Sequence, residues 1–82
     1  MTCQEAVNWI LESAKLNNGV FTDDVPDIIK MVDAPDMRDA LGAVVLGSMI
    51  CKMLDMDPTK NNYIKIHLDY LEAKGIKGLS RK

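Results

Sequence analysis

From Ala40 to Cys51 the chain runs for twelve residues without a charge, interrupted only by Gly42, Gly47 and Ser48. That run is the strongest constraint on the fold. A membrane span needs roughly 20 apolar residues, so the run is too short to cross a bilayer. Nothing in it alternates with a period of two, so it does not read as a strand. Placed on a helix, Leu46, Met49, Ile50 and Met53 line one side, and Leu41, Val44 and Val45 line the other. Between them lies a strip of small residues, Ala40, Ala43, Gly47 and Cys51. A helix that is apolar on every side is expected to be buried on every side. The sequence therefore predicts an all-α domain of four helices packed around a central apolar helix at about residues 34–55, roughly 30 Å long. A glycine inside a helix costs about 1 kcal/mol relative to Ala. At Gly47 the compensation is close approach of a second helix along the small strip. That helix comes either from the same chain or from a second copy, and the two-fold version would be isologous. Ala40, Ala43, Gly47 and Cys51 are thus the candidate self-association residues.

Three further helices are punctuated around this one. Thr2 and Glu5 have the spacing of a capping box. Behind them Cys3, Ala6, Val7, Ile10, Leu11 and Ala14 form one apolar face, with Trp9 and Leu16 on its flank. Asn17-Asn18-Gly19 stops this segment, with Gly19 expected at the left-handed position after the helix. Val20 and Phe21 should tuck into the core. A short helix is expected at about 25–32, capped by Thr22 or Asp24, with Ile28, Ile29, Met31 and Val32 making its contacts. Asp33 is the expected cap of the central helix. The last helix should start at Asp57-Pro58, a cap followed by Pro at the first helical position. It should end at Gly75, with Ile76 folding back. Its polar face includes Lys65 and Asp69, spaced to pair. Its apolar arc is wide: Ile64, Leu68 and Leu71, then Tyr63, Ile66, Tyr70 and Ala73. Residues 76–82 read as a frayed basic tail on a single domain, 1–82.

Composition narrows the function. With 82 residues the chain buries only about 60% of the surface its unfolded form exposes, so its core is thin. The overall charge of −2 is unevenly spread. Residues 1–57 hold ten acids against four bases; residues 58–82 hold six bases against Asp69 and Glu72. Acids at helix starts and bases at helix ends explain most of this. Cys3 and Cys51 lie within apolar patterns and read as small buried hydrophobes, with no metal-site spacing. With no signal peptide legible, a reducing cytoplasm is expected.

Catalysis finds little support in these residues. His67 is the one histidine, and no nucleophile motif accompanies it. Its place beside Ile64, Leu68 and Leu71 fits a half-buried structural residue. No phosphate-binding glycine loop and no metal-ligand pattern occurs, so no cofactor is expected. Residues 24–46 resemble a helix–turn–helix only coarsely. The would-be recognition helix is apolar where base-reading side chains belong, and the chain is acidic overall. Nucleic-acid binding through the basic C-terminal segment is the alternative reading, and a small enzyme the least favoured one. The favoured reading is a non-catalytic protein-binding module, a regulator or inhibitor that occludes a larger protein and forms a homodimer. Its candidate partner-binding residues are Trp9, Leu16, Tyr63, Tyr70, Lys77, Arg81 and Lys82. The size, helicity and clean capping are those of a short bacterial or phage accessory protein, although no motif carries that likeness.

Overall fold

Four α-helices carry the fold: α1 (Cys3–Leu16), α2 (Val25–Lys30), α3 (Pro35–Met53) and α4 (Asn62–Ala73), with a 3-10 turn, Pro58–Lys60, between the last two. The computed structural model describes residues 1–79, and among these there is no strand. Each helix starts and stops for local chemical reasons. The capping box at the head of α1 forms as expected. The Glu5 amide donates to the Thr2 hydroxyl at 3.1 Å, and the Thr2 amide donates to the Glu5 carboxylate at 2.9 Å. These bonds hold the Glu5 carboxyl below the usual carboxylate range. At the other end of α1, Asn18 takes the left-handed conformation expected of Gly19, which follows it with φ +80°. Asn tolerates that region because its short side chain bonds locally.

Three caps differ from expectation. Neither Thr22 nor Asp24 caps α2 with its side chain; Asp24 stands at the cap position, but its carboxylate accepts from the Thr22 hydroxyl instead of a helix amide. Asp33 does not cap α3; Ala34 stands at the cap position with no side-chain bond. Asp33 instead clasps the start of the chain. Its carboxylate accepts from the Met1 ammonium at 3.0 Å, and its amide donates to the Met1 carbonyl at 2.9 Å. Asp57 caps only the 3-10 turn, accepting from the Thr59 amide at 2.9 Å. Asn61 is the cap of α4, accepting from the Ile64 amide at 3.1 Å. The ends of α3 and α4 share one design. In each, the sixth residue donates back to the first (Met56 to Cys51, Ile76 to Leu71) and the fifth to the second (Asp55 to Lys52, Gly75 to Glu72). This is the Schellman arrangement, with Asp55 and Gly75 in the left-handed conformation. Ile76 and Leu71 are both buried, so Ile76 does fold back beneath its cap.

The α3 helix touches α1, α2, α4 and the 3-10 turn, whereas among the described residues α1 and α4 do not pack on each other. It is the central post, about 28 Å long at 1.5 Å per residue. Around it Val7, Ile10, Val25, Ile28, Leu41, Val45 and Leu71 are sealed from water, and among the described residues no polar or charged side chain is buried with them. Burial of apolar surface is the main force available to such a core.

Burial on every side of α3 does not occur. Ile50, Met53 and Leu54 are exposed, because α1 and α2 cover one side, α4 covers the adjoining one, and the third side faces water. Met31 and Val20, expected to make core contacts, are also exposed; α2 ends at Lys30, Met31 is its C-cap, and Val32 takes the buried place that follows. The tail is docked rather than frayed over residues 76–79. The Lys77 amide donates to the Gln4 side-chain oxygen at 2.8 Å, and the Gln4 side-chain nitrogen donates to the Lys77 carbonyl at 2.9 Å. Gly78 follows with φ +102°, and a Cβ there would lie 2.9 Å from the Leu11 Cδ1. Only glycine satisfies both the dihedral and the space.

Candidate protein-interaction surface

The small strip of α3 is used within the chain. Ala40 and Cys51 are buried, and a Cβ on Gly47 would meet the Ile64 side chain at 3.1 Å. The helix that approaches Gly47 is therefore α4, while Ala43 stays half-buried at the edge of the strip. Two contacts fix how α4 lies against α3. Ile64 sits on Gly47, and the Tyr70 hydroxyl donates to the Asp36 carboxylate at 2.5 Å. The helices run antiparallel. Val44, Val45 and Ser48 face the α1 side, while Asp36, Ala43 and Ile50 share the opposite flank with Tyr63 and Tyr70.

On that outer flank Ile50 is 56% and Tyr63 61% exposed, with Leu54 and Tyr70 beside them; Met53, at 83%, stands farther round α3, where it lines a second cleft with Val20, Phe21 and Met49, and Ile66, at 65%, stands farther round α4. Along α3 the outward row reads Ala43, Leu46, Ile50, Met53, spacings of three, four and three. That is the spacing of a two-heptad seam. The sequence holds this signal, but an apolar run that extends all round the helix hides it.

Of the candidate partner-binding residues, Tyr63 and Tyr70 stand on the α4 side of this flank. Trp9 and Leu16 are exposed, Leu16 at 82%, but both belong to α1, which α4 does not touch. The Lys77 side chain is exposed on the docked tail. Arg81 and Lys82 lie outside the described residues. The structure thus brings Tyr63 and Tyr70 together with the α3 row and leaves Trp9 and Leu16 as a separate patch.

The electrostatics of the flank are simple. The Asp36 carboxyl is held below its ordinary range, first by the Tyr70 hydroxyl and then by the Met37 amide. The same bond pushes the Tyr70 phenol up. The Lys74 ammonium lies 5.5 Å from the Tyr70 ring centre. The Cys3 thiol is pushed up by burial, and secondarily by the Asp36 charge. Both cysteines are free and buried.

A cleft of about 340 Å³ lies on the other side of α4, in the gap left because α1 and α4 do not meet. Leu11, Phe21, Val45, Leu68 and Leu79 form its apolar walls, and Ser48, Lys65, Asp69 and Glu72 stand around it. Lys65 and Asp69 do not pair; among the described residues the one ion pair is that of the Met1 ammonium with Asp33. Ser48 spends its hydroxyl on the Val44 carbonyl, 2.6 Å away. His67 is half-buried, with its Nδ1 2.8 Å from the Tyr63 carbonyl and its ring 4.5 Å from that of Tyr63. Among the described residues no three His, Cys, Asp or Glu side chains gather as a metal site, and no helix is long and apolar enough to cross a membrane. Comparison with protein-family models, with curated proteins and with solved structures finds no match.

Proposed function

We propose that the protein is a non-catalytic binding module of the cytoplasm that regulates or inhibits a larger protein by covering part of its surface. One observation carries this reading: Ile50, Leu54 and Tyr63 stand exposed on the outer flank of α3 and α4, with Met53 and Ile66 exposed at its two edges, and the charges nearest it, Asp36 and Lys74, gather around Tyr70. Soluble monomers seldom expose a contiguous apolar patch of more than a few hundred Å². Methionine and the aromatic residues are enriched where proteins meet. Tyr63 and Tyr70 also suit such a place chemically, since each offers an apolar ring and a polar tip.

Affinity capture from the native cell tests the reading, with Ile66→Glu and Trp9→Ala as variants. Neither side chain belongs to the buried core, so both variants should fold. The expected result is a partner retained by wild type and Trp9→Ala but lost with Ile66→Glu. Loss with Trp9→Ala alone would move the site to α1. Capture that survives both substitutions would defeat the proposal. Retention on DNA or RNA that falls with salt and ignores Ile66→Glu would favour the basic C-terminal segment instead.

A further inference from the structure

We infer that the outward row of α3 (Ala43, Leu46, Ile50 and Met53) is the seam of a two-fold homodimer, with α3 of one copy antiparallel to α3 of the other. The inference rests on the reading that this flank is a binding surface, and it names the first occupant. The spacing of the row is that of coiled-coil core positions; within the single chain its Ile50 and Met53 are exposed, while Ala43 and Leu46 are half-buried.

Three features select a second copy over a foreign helix. First, the row is complementary to itself. In an antiparallel pair the first position of each heptad meets the fourth position of its mate. Ala43 then lies against the second copy's Met53, and Leu46 against the second copy's Ile50. One layer pairs small with large and the other pairs two equal volumes, so both layers fill. A parallel pair would set Ala43 against Ala43 and leave a void. Second, no charge flanks the row. Inside α3 the positions beside it are Ala40 and Gly47 on one side and Gly42 and Met49 on the other, and the exposed Asp39 stands at the N-terminal end of the row. Coiled coils that choose a particular foreign partner do so through charges at those flanking positions, and their absence here leaves shape alone to select.

Third, the area is adequate. Fully covering an aliphatic side chain removes on the order of 100 Å² from water. Leu46, Ile50, Met53, Leu54 and Tyr63, about half to four-fifths exposed apart from the half-buried Leu46, with Met56 at 52%, offer about 400 Å² per copy. A standard interface covers about 800 Å² on each partner, a little over half of it apolar. The flank supplies most of that apolar share. Ile66 and Tyr70, farther round α4, remain at the rim for the larger partner.

Sedimentation equilibrium on the full chain tests this. Wild type should sediment as two copies of the 9.1 kDa chain. Ile50→Glu places a charge in the seam, and Leu46→Lys does the same in the facing row. Each variant, helical by circular dichroism, should weaken dimerisation by about a hundred-fold or more. Mixed together they should recover the dimer, because the antiparallel register sets the ammonium introduced at position 46 of one copy against the carboxylate introduced at position 50 of the other. A wild type that stays monomeric at millimolar concentration, or an Ile50→Glu variant that remains a dimer, overturns the inference. Two equally weakened variants that fail to recover on mixing overturn the antiparallel register. The outcomes also separate the two readings: a monomeric wild type whose partner capture is still lost with Ile66→Glu leaves the binding function standing and removes only the dimer.

Discussion

Substituting Gly47 by Ala and by Leu separates two effects that meet at one atom. An Ala Cβ would lie 3.1 Å from the Ile64 Cγ1 and 3.3 Å from its Cδ1. Ordinary carbon contacts fall at about 3.5–4.0 Å, so Ile64 must yield by a few tenths of an ångström. Against that squeeze stands the helix propensity recovered on leaving glycine, about 1 kcal/mol. Gly47→Ala is expected to fall within about 0.5 kcal/mol of wild type. Leucine recovers nearly the same propensity but adds three carbons beyond Cβ, aimed at a side chain that is itself 5% exposed and cannot retreat into solvent. Overpacking of that kind costs about 1–3 kcal/mol, leaving a net loss of about 1–2 kcal/mol. For a domain of this size each kcal/mol moves Tm by about 4–8 °C. The assay is urea denaturation followed by circular dichroism at one fixed protein concentration, because self-association would make the midpoint depend on concentration. A Gly47→Leu midpoint equal to wild type would refute the close packing of α4 on α3. A Gly47→Ala variant that loses as much as the Leu variant would instead refute the ability of Ile64 to yield.

Asn61→Ala removes the α4 cap and is expected to cost about 1 kcal/mol, read from the same urea midpoint; an unchanged midpoint would show that Asn61 does not cap the helix. The Asp36–Tyr70 bond makes stability depend on pH at both ends of the scale. Because Asp36 titrates lower in the folded chain than in the unfolded one, its contribution is present above the ordinary carboxylate range and is lost as pH falls through its folded value. Tyr70 titrates higher when folded, so its contribution is present below the ordinary tyrosine value and is lost as pH rises through the folded one. Tyr70→Phe should therefore flatten the stability profile at both ends, and an unchanged profile would show that the bond does not persist in solution.

Local chemistry is the part legible in the sequence. Thr2 with Glu5, and Gly75 with Ile76, act where their spacing places them because every partner lies within six residues. Choices between rival local signals are not legible. Asp57 and Asn61 are both good caps, four residues apart. Asp57 bends its own backbone into a tight turn through the Thr59 amide, which hands the helix to Asn61. Asp33 reads as a cap because nothing nearby competes for it; its competitor is the chain start, 32 residues away. The central helix is recognisable from its apolar run, but hydrophobicity does not count neighbours. Four elements touch α3, all on the same two sides, and the third side becomes the candidate surface. The tail clasp is invisible for the same reason as the Asp33 pair: Gln4 and Lys77 are 73 positions apart and neither residue type advertises the other.

That clasp also sets an order of events in folding. Most contacts of a small helical protein are local and form early. Joining Gln4 to Lys77 in an otherwise open chain would close a 73-residue loop, at an entropic cost of about 4 kcal/mol that two surface hydrogen bonds do not offset. The tail therefore docks last, after α3 has gathered the other helices and shortened the path between the two residues, and it is the first part to open. The Lys77 amide should exchange its hydrogen through that local opening rather than through global unfolding, and substitutions at Gln4 should speed unfolding while leaving the folding rate untouched.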